Sequence, residues 1–274
     1  MKPFLQKLPI LFLVVMLAAG CHSPTADELV NRGAVKIRMK DYEGANTDLN
    51  RAIKMDSTIS LAFYYRGLVK EPKYGSDAAI TDYTKAIRLD PGNVRFFFQR
   101  GVAKTKNRDW SGALADFNTV CRLDPGFRDI FYYRGQLKSK LKDPIGALAD
   151  LNRAVLVNPR VENNFILRGR IKQNLKDYSG AIDDYSKAID INPGNYNHYY
   201  SRGVLRIRIT DFTGAISDFD AVLIKKPKHR TSFYYRGIAK ISSGLKEAGC
   251  KDLIQAQRLG YKPATNALKK YCNN

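Results

Sequence analysis

Residues 162–195 read ENNFILRGRIKQNLKDYSGAIDDYSKAIDINPGN, and residues 196–229 read YNHYYSRGVLRIRITDFTGAISDFDAVLIKKPKH. The two stretches align without a gap: Gly169 over Gly203, Ala181 over Ala215, Pro193 over Pro227. The frame extends both ways along the chain. Glycine recurs at Gly33, Gly67, Gly101, Gly135, Gly169, Gly203 and Gly237, each 34 residues from the last. Twelve residues after each stands Ala45, Ala79, Ala113, Ala147, Ala181, Ala215 or Gly249, and nineteen after stands Ala52, Ala86, Val120, Ala154, Ala188, Val222 or Ala256. Self-similarity at a fixed period of this length is the signature of a repeat architecture.

The spacing predicts two antiparallel helices per copy. The glycine and the small residue twelve later are equidistant from a turn, so their backbones can approach closely where small residues meet. Asp41, Asp109, Asp143, Asp177 and Asp211 sit in that turn and are placed to cap the second helix. Pro91, Pro125, Pro159, Pro193 and Pro227 follow the second helix and stop it. Apolar residues at helical spacing supply the core: Val35, Val69, Leu137, Ile171 and Leu205 on first helices, Leu49, Tyr83, Phe117, Leu151, Tyr185, Phe219 and Leu253 on second helices.

This frame resembles the tetratricopeptide repeat (TPR), and the resemblance covers residues 26–263. It implies an all-α solenoid of seven helical hairpins: 26–59, 60–93, 94–127, 128–161, 162–195, 196–229 and 230–263. Residues 264–274 then read as a short capping helix and tail. The second copy departs from the pattern, because Pro72 is expected to end its first helix early and Gly75 to loosen its turn. The seventh has Tyr261 in place of the terminal proline.

Charge is the unusual bulk property. Lys and Arg number 46 against 26 acids, a formal net charge of +20, or +18 after residue 20. Three periodic columns, two basic and one acidic, together contribute +7 of it. Arg32, Arg66, Arg100, Arg134, Arg168, Arg202 and Arg236 precede the repeat glycines, and Asp48, Asp82, Asp116, Asp150, Asp184, Asp218 and Asp252 follow fifteen residues after them. The hairpin puts both columns at one level, so each Arg is expected to fork onto a carboxylate. Whether it takes the aspartate of its own copy or of the preceding one stays open. A third column, Lys36, Lys70, Lys104, Lys138, Lys172, Arg206 and Lys240, adds seven further cations. The surplus favours acidic partners or anionic headgroups.

By resemblance to the family, the ligand groove is the inner face lined by first helices. Tyr64, Phe98, Tyr132, Tyr200 and Tyr234, three residues before their glycines, are the expected peptide-groove residues. Tyrosine offers broad, fairly rigid area with a polar tip. The family's clamp for a C-terminal carboxylate has no matching Lys/Asn set here.

The first twenty residues read as a signal peptide, with Lys2 and Lys7 ahead of an apolar Leu8–Leu17 too short to span a bilayer. Leu17-Ala18-Ala19-Gly20-Cys21 resembles a bacterial lipobox, which implies cleavage before Cys21, acylation of its thiol and a short tether over residues 21–25. His22 after the cysteine implies the outer membrane, so the expected location is the cell envelope, with repeats facing periplasm or exterior. In that oxidising compartment Cys250, taken to begin the last second helix, and Cys272 are expected to pair, since a hairpin turning near residue 261 brings them level. Cys121, beside Val120, reads as a buried thiol.

His22, His198 and His229 have no metal-ligand or triad spacing, and no glycine-rich phosphate loop occurs. No catalytic residue, metal or cofactor is expected. The function expected is a non-catalytic, lipid-anchored scaffold that takes a protein or peptide partner, acidic in character as the net charge implies. The alternative is a basic surface for acidic polymers or anionic headgroups; nucleic acid is disfavoured because export separates the chain from it.

Overall fold

The computed structural model describes residues 23–127 and 129–272; the signal stretch 1–20 and Cys21 lie outside the described residues. Fifteen α-helices and no strand occur among them. In order these are α1 (Ala26–Arg38), α2 (Tyr42–Met55), α3 (Ser60–Tyr74), α4 (Ser76–Leu89), α5 (Val94–Lys106), α6 (Trp110–Leu123), α7 (Ile130–Lys140) and α8 (Pro144–Val157). They continue as α9 (Glu162–Asn174), α10 (Tyr178–Ile191), α11 (Tyr196–Arg208), α12 (Phe212–Lys225), α13 (Arg230–Ser242), α14 (Lys246–Arg258) and α15 (Pro263–Tyr271). Two compact units result, one ending at Asp109 and one starting at Trp110. Within each unit consecutive helices pack antiparallel, and each hairpin stacks on the next.

The repeat glycine has a more specific task than letting backbones approach. A Cβ on Gly67 would fall 2.5 Å from the Tyr83 ring, and one on Gly33 2.9 Å from Leu49 Cγ. The glycine therefore makes room for the large side chain sixteen residues later, and Leu49, Tyr83, Leu151, Tyr185, Phe219 and Leu253 are all buried in that seat. Burying such a side chain contributes about 1.5–3 kcal/mol.

The turn is capped as the sequence implies in four hairpins. Asp41, Asp143, Asp177 and Asp211 each accept a hydrogen bond from the backbone N–H three residues on, at 2.8–2.9 Å. One feature of the turn is absent from the sequence pattern. Lys40, Arg108, Lys142, Lys176 and Thr210, seven residues after their glycines, all adopt left-handed φ of 62–66°. The second helices stop where the prolines predict, with Asp90, Asn158, Asn192 and Lys226 as C-caps.

Two expectations about helix ends need correction. Pro72 does not shorten α3, which runs two residues past it to Tyr74. Pro72 stands in the last turn, where the missing N–H removes one bond and the helix has little left to lose. Gly75, at φ 85°, then serves as the only residue between α3 and α4, so this turn is tighter than the others, not looser. Likewise α14 begins at Lys246, four residues ahead of Cys250.

Candidate functional site

The charge ladders resolve into a structural motif. Positions one before and three after the repeat glycine are four apart, hence on one face of the first helix. Both reach a single aspartate of the same hairpin. Arg168 Nη2 lies 2.5 Å and Lys172 Nζ 3.0 Å from the two oxygens of Asp184. Arg202 and Arg206 hold Asp218 at 2.7 and 2.9 Å, and Arg236 and Lys240 hold Asp252 at 2.6 and 2.9 Å. The pattern repeats at Asp48, Asp82 and Asp150.

The partner choice that the sequence left open is thereby settled: the aspartate belongs to the arginine's own copy. The Arg Nη1 reaches the preceding hairpin instead, bonding Asn50, Thr84, Asn118, Asn152, Ser186 or Asp220 sixteen residues earlier. Each such arginine ties two hairpins together. At the first hairpin the Arg32 hydrogen bond, with Lys36 in support, holds the Asp48 carboxyl down to about 2 against the cost of burial. These cations are engaged inside the fold and form no free stripe for a ligand.

The expected groove residues divide. Tyr64 is not available to a ligand: it is buried, its ring 5.0 Å from Phe96 on α5 and 6.0 Å from Tyr83. Its neighbour in the next hairpin is a phenylalanine that seats against it, and burial pushes its hydroxyl upward in pKa. Phe98 is half-buried. Tyr132, Tyr200 and Tyr234 are half-buried on first helices of the second unit, and all three line open clefts.

Tyr132 and Tyr200 face a cleft of about 430 Å³ across α7, α9 and α11. Its remaining lining is rich in amides and other polar tips, among them Gln136, Asn163, Asn197 and Arg170. Primary amides offer both a donor and an acceptor, which is what an extended peptide backbone presents in return. Tyr185 closes the floor; burial raises its hydroxyl pKa, opposed by the Arg170 charge and by hydrogen bonds from Ser201 and Arg170. His198 Nε2 stands 3.4 Å from Glu162 Oε2 and is itself buried.

Gln136 and Arg170 were not singled out in the sequence, yet a signal exists. The residue after the repeat glycine is Ala34, Leu68, Val102, Gln136, Arg170, Val204 or Ile238. Only the fourth and fifth copies are polar in an otherwise apolar column.

Tyr234 faces a second cleft of about 700 Å³, with α11 and α13 on one side and α15 on the other. Cys250 on α14 and Cys272 at the end of α15 form a disulfide with Cα atoms 5.9 Å apart. Cys121 is half-buried rather than buried, and its burial raises the thiol pKa, which keeps it poorly nucleophilic. Among the described residues no three His, Cys, Asp or Glu side chains gather to hold a metal ion.

Tetratricopeptide repeat family models match residues 75–128 and 164–195. No curated protein matches the chain. Among solved structures, a tetratricopeptide repeat protein from Parabacteroides merdae is similar with a TM-score of 0.61 at 20% identity, over 90% of this chain and 99% of that one. PilF of Pseudomonas aeruginosa is similar with a TM-score of 0.63 at 17% identity, over 74% of this chain and 92% of that one. YrrB, described as a TPR protein with an unusual peptide-binding site, gives 0.58 at 21% identity, over 67% of this chain and 95% of that one.

Proposed function

Because this is a tetratricopeptide repeat chain, we propose that it is a non-catalytic scaffold that captures an extended segment of a protein partner on the first helices of its second unit. The observation that carries this is the cleft across α7, α9 and α11, where Tyr132 and Tyr200 supply apolar walls and Gln136, Asn163 and Asn197 supply amides. YrrB, which shares the fold, is described as having a peptide-binding site. The lipobox-like Leu17–Cys21 supports anchoring at Cys21 in a bacterial envelope, outer membrane by the identity of His22, with the repeats in the periplasm or outside.

The test is crosslinking in the native envelope, followed by recovery of attached proteins with the wild-type chain and with Gln136→Ala combined with Arg170→Ala. Both side chains belong to the cleft, and Arg170 is exposed, so the fold is expected to survive. A specific partner is expected to drop at least tenfold in yield. Recovery of the same proteins at unchanged yield removes the cleft from the account. Cys21→Ser, followed through labelling with radioactive palmitate and membrane fractionation, tests the anchor: label and membrane association are both expected to vanish.

A further inference from the structure

We propose that the cleft between α11, α13 and α15 docks an acidic protein segment carrying an aromatic or branched apolar side chain, with the Cys250–Cys272 disulfide holding one of its walls. The proposal rests on and deepens the scaffold reading by naming a partner chemistry for a second cleft on the first helices of the same unit.

The floor is apolar and rigid. Val204 and Ile238, the residues following two repeat glycines, lie in it beside Tyr235. The Tyr235 ring stacks on Phe219 at 6.0 Å, and Tyr234 meets Tyr235 at 5.2 Å and Tyr261 at 5.1 Å. Aromatic rings fixed by one another lose little freedom when a ligand side chain arrives, and that preorganisation favours binding. A volume of about 700 Å³ accommodates more than one side chain.

The rim selects charge. Arg208 and Lys270 line the cleft, no carboxylate does, and both cations are exposed. The surroundings reinforce them. Residues 196–274 contain 15 Lys and Arg against 5 Asp and Glu, half of the chain's net charge in its last 79 residues. Four of those acids are already engaged: Asp211 with Arg206, Asp218 with Arg202 and Arg206, Asp220 with Arg236, and Asp252 with Arg236 and Lys240. Glu247, in the first turn of α14, is the fifth. A basic mouth over an apolar aromatic floor is complementary to carboxylates flanking an apolar side chain.

The far wall comes from α15, through Pro263, Ala267 and Tyr271, with Lys270 over the Tyr271 ring at 4.8 Å. That helix has nine residues and buries only Ala264 and Ala267. A helix so short is marginal alone. The disulfide to α14 and a 3.1 Å bond from Gln257 to Thr265 hold it in place. Reduction therefore frees one wall of the cleft without touching the floor.

The experiment uses the full chain and a fluorescein-labelled octapeptide of alternating Glu and Phe, read by fluorescence polarisation, beside an octaglutamate and a Lys/Phe octapeptide. Saturable binding of the Glu/Phe peptide is expected, with both controls at least tenfold weaker. Arg208→Ala with Lys270→Ala is expected to weaken binding at least tenfold. Cys272→Ser, or dithiothreitol, is expected to weaken it severalfold while far-ultraviolet circular dichroism shows the helices intact. Three results overturn the proposal: equal binding of octaglutamate, full competition by phosphatidylglycerol vesicles that bind the chain more tightly, or insensitivity to the double substitution. The Gln136→Ala/Arg170→Ala chain separates the two clefts. It is expected to keep Glu/Phe binding; loss of the peptide by that chain overturns this proposal, whereas undiminished capture of the native partner by it overturns only the reading of the cleft across α7, α9 and α11.

Discussion

The first and last hairpins are built on one pattern and finished in opposite ways. At the first, α1 opens with a reciprocal cap: Thr25 Oγ1 accepts from the Glu28 N–H at 3.2 Å, and Glu28 accepts from the Thr25 N–H at 2.8 Å. No hairpin precedes it among the described residues. Val35 is therefore 39% exposed, whereas Val69, Leu137, Ile171 and Leu205 at the same position are buried against the hairpin before them. The Arg32 side chain is 49% exposed, against 15–18% for Arg66, Arg134, Arg168, Arg202 and Arg236. At the last, α15 covers the end and a disulfide fixes the cover. A repeat array is approximately a sum of units and nearest-neighbour interfaces, so its ends are its weak points. Here the last hairpin, which carries the aromatic cleft, is covered by a helix that a disulfide fixes.

The largest difference between the first hairpin and the interior should appear in the buried aspartates. Asp218 is 2% exposed and holds two guanidinium groups, so Asp218→Ala strips Arg202 of its carboxylate, leaves Arg206 only Asp211, and is expected to cost about 3–5 kcal/mol. Asp48→Ala releases an Arg32 that is already half in water, and about 1–3 kcal/mol is expected. Denaturant unfolding measures the totals, and amide exchange assigns the loss to a hairpin. Equal losses at the two sites would refute the account of the ends. Acid probes the Asp48 site from the other direction. Asp48 titrates near 2 in the fold and near 3.9 in an unfolded chain, so its contribution is complete above about pH 4 and lost as pH falls toward 2. Exchange protection of α1 and α2 is expected to fall in that window.

A smaller effect distinguishes the last hairpin. Six copies have alanine twelve residues after the glycine and the seventh has Gly249. A Cβ there would lie 2.6 Å from the Gly237 carbonyl oxygen and 2.6 Å from Ile241 Cγ1. The two backbones are closer here than in the fifth hairpin: a Cβ on Gly237 would sit 2.9 Å from the Gly249 carbonyl oxygen, against 3.4 Å from the Ala181 carbonyl oxygen for one on Gly169. Restoring the pattern with Gly249→Ala is therefore expected to destabilise by about 1–3 kcal/mol through overpacking. A neutral or stabilising result would mean that α13 and α14 are not so close.

The fold was legible because period, small residues and prolines all express backbone geometry, and backbone geometry repeats. Glycine at 34-residue steps and the Asp caps placed turns and helices directly. The site was only partly legible, since a ligand face is made of departures from the repeat. Tyr132, Tyr200 and Tyr234 line clefts, but Tyr64 in the same column is buried, because its neighbour Phe96 fills the space in front of it. Aromatics serve core and groove equally, and the column alone does not separate them. Gln136 and Arg170 carried the better signal: polarity in a column that is otherwise apolar. Pro72 was misread because a proline's effect depends on how much helix follows it, and only two residues do.

The smallest expected effect concerns the turns, which the same residue type does not serve throughout. Lys142 takes a left-handed φ of 62°, while the equivalent Gly244 has φ 90°. A left-handed conformation costs an L-residue about 1–2 kcal/mol. Lys142→Gly removes that strain but restores about 0.4–1 kcal/mol of freedom to the unfolded chain, leaving a net gain of a few tenths to about 1 kcal/mol. The reverse change, Gly244→Lys, meets no atom within 4 Å of the new Cβ, so its cost is backbone strain alone. A loss of about 1 kcal/mol is expected, offset in part by a stiffer unfolded chain. Thermal unfolding of the pair is the measurement, with the disulfide intact in both. If Gly244→Lys is harmless while Lys142→Gly stabilises, the two turns differ in more than φ, and the last hairpin must be relaxing into a turn of another shape.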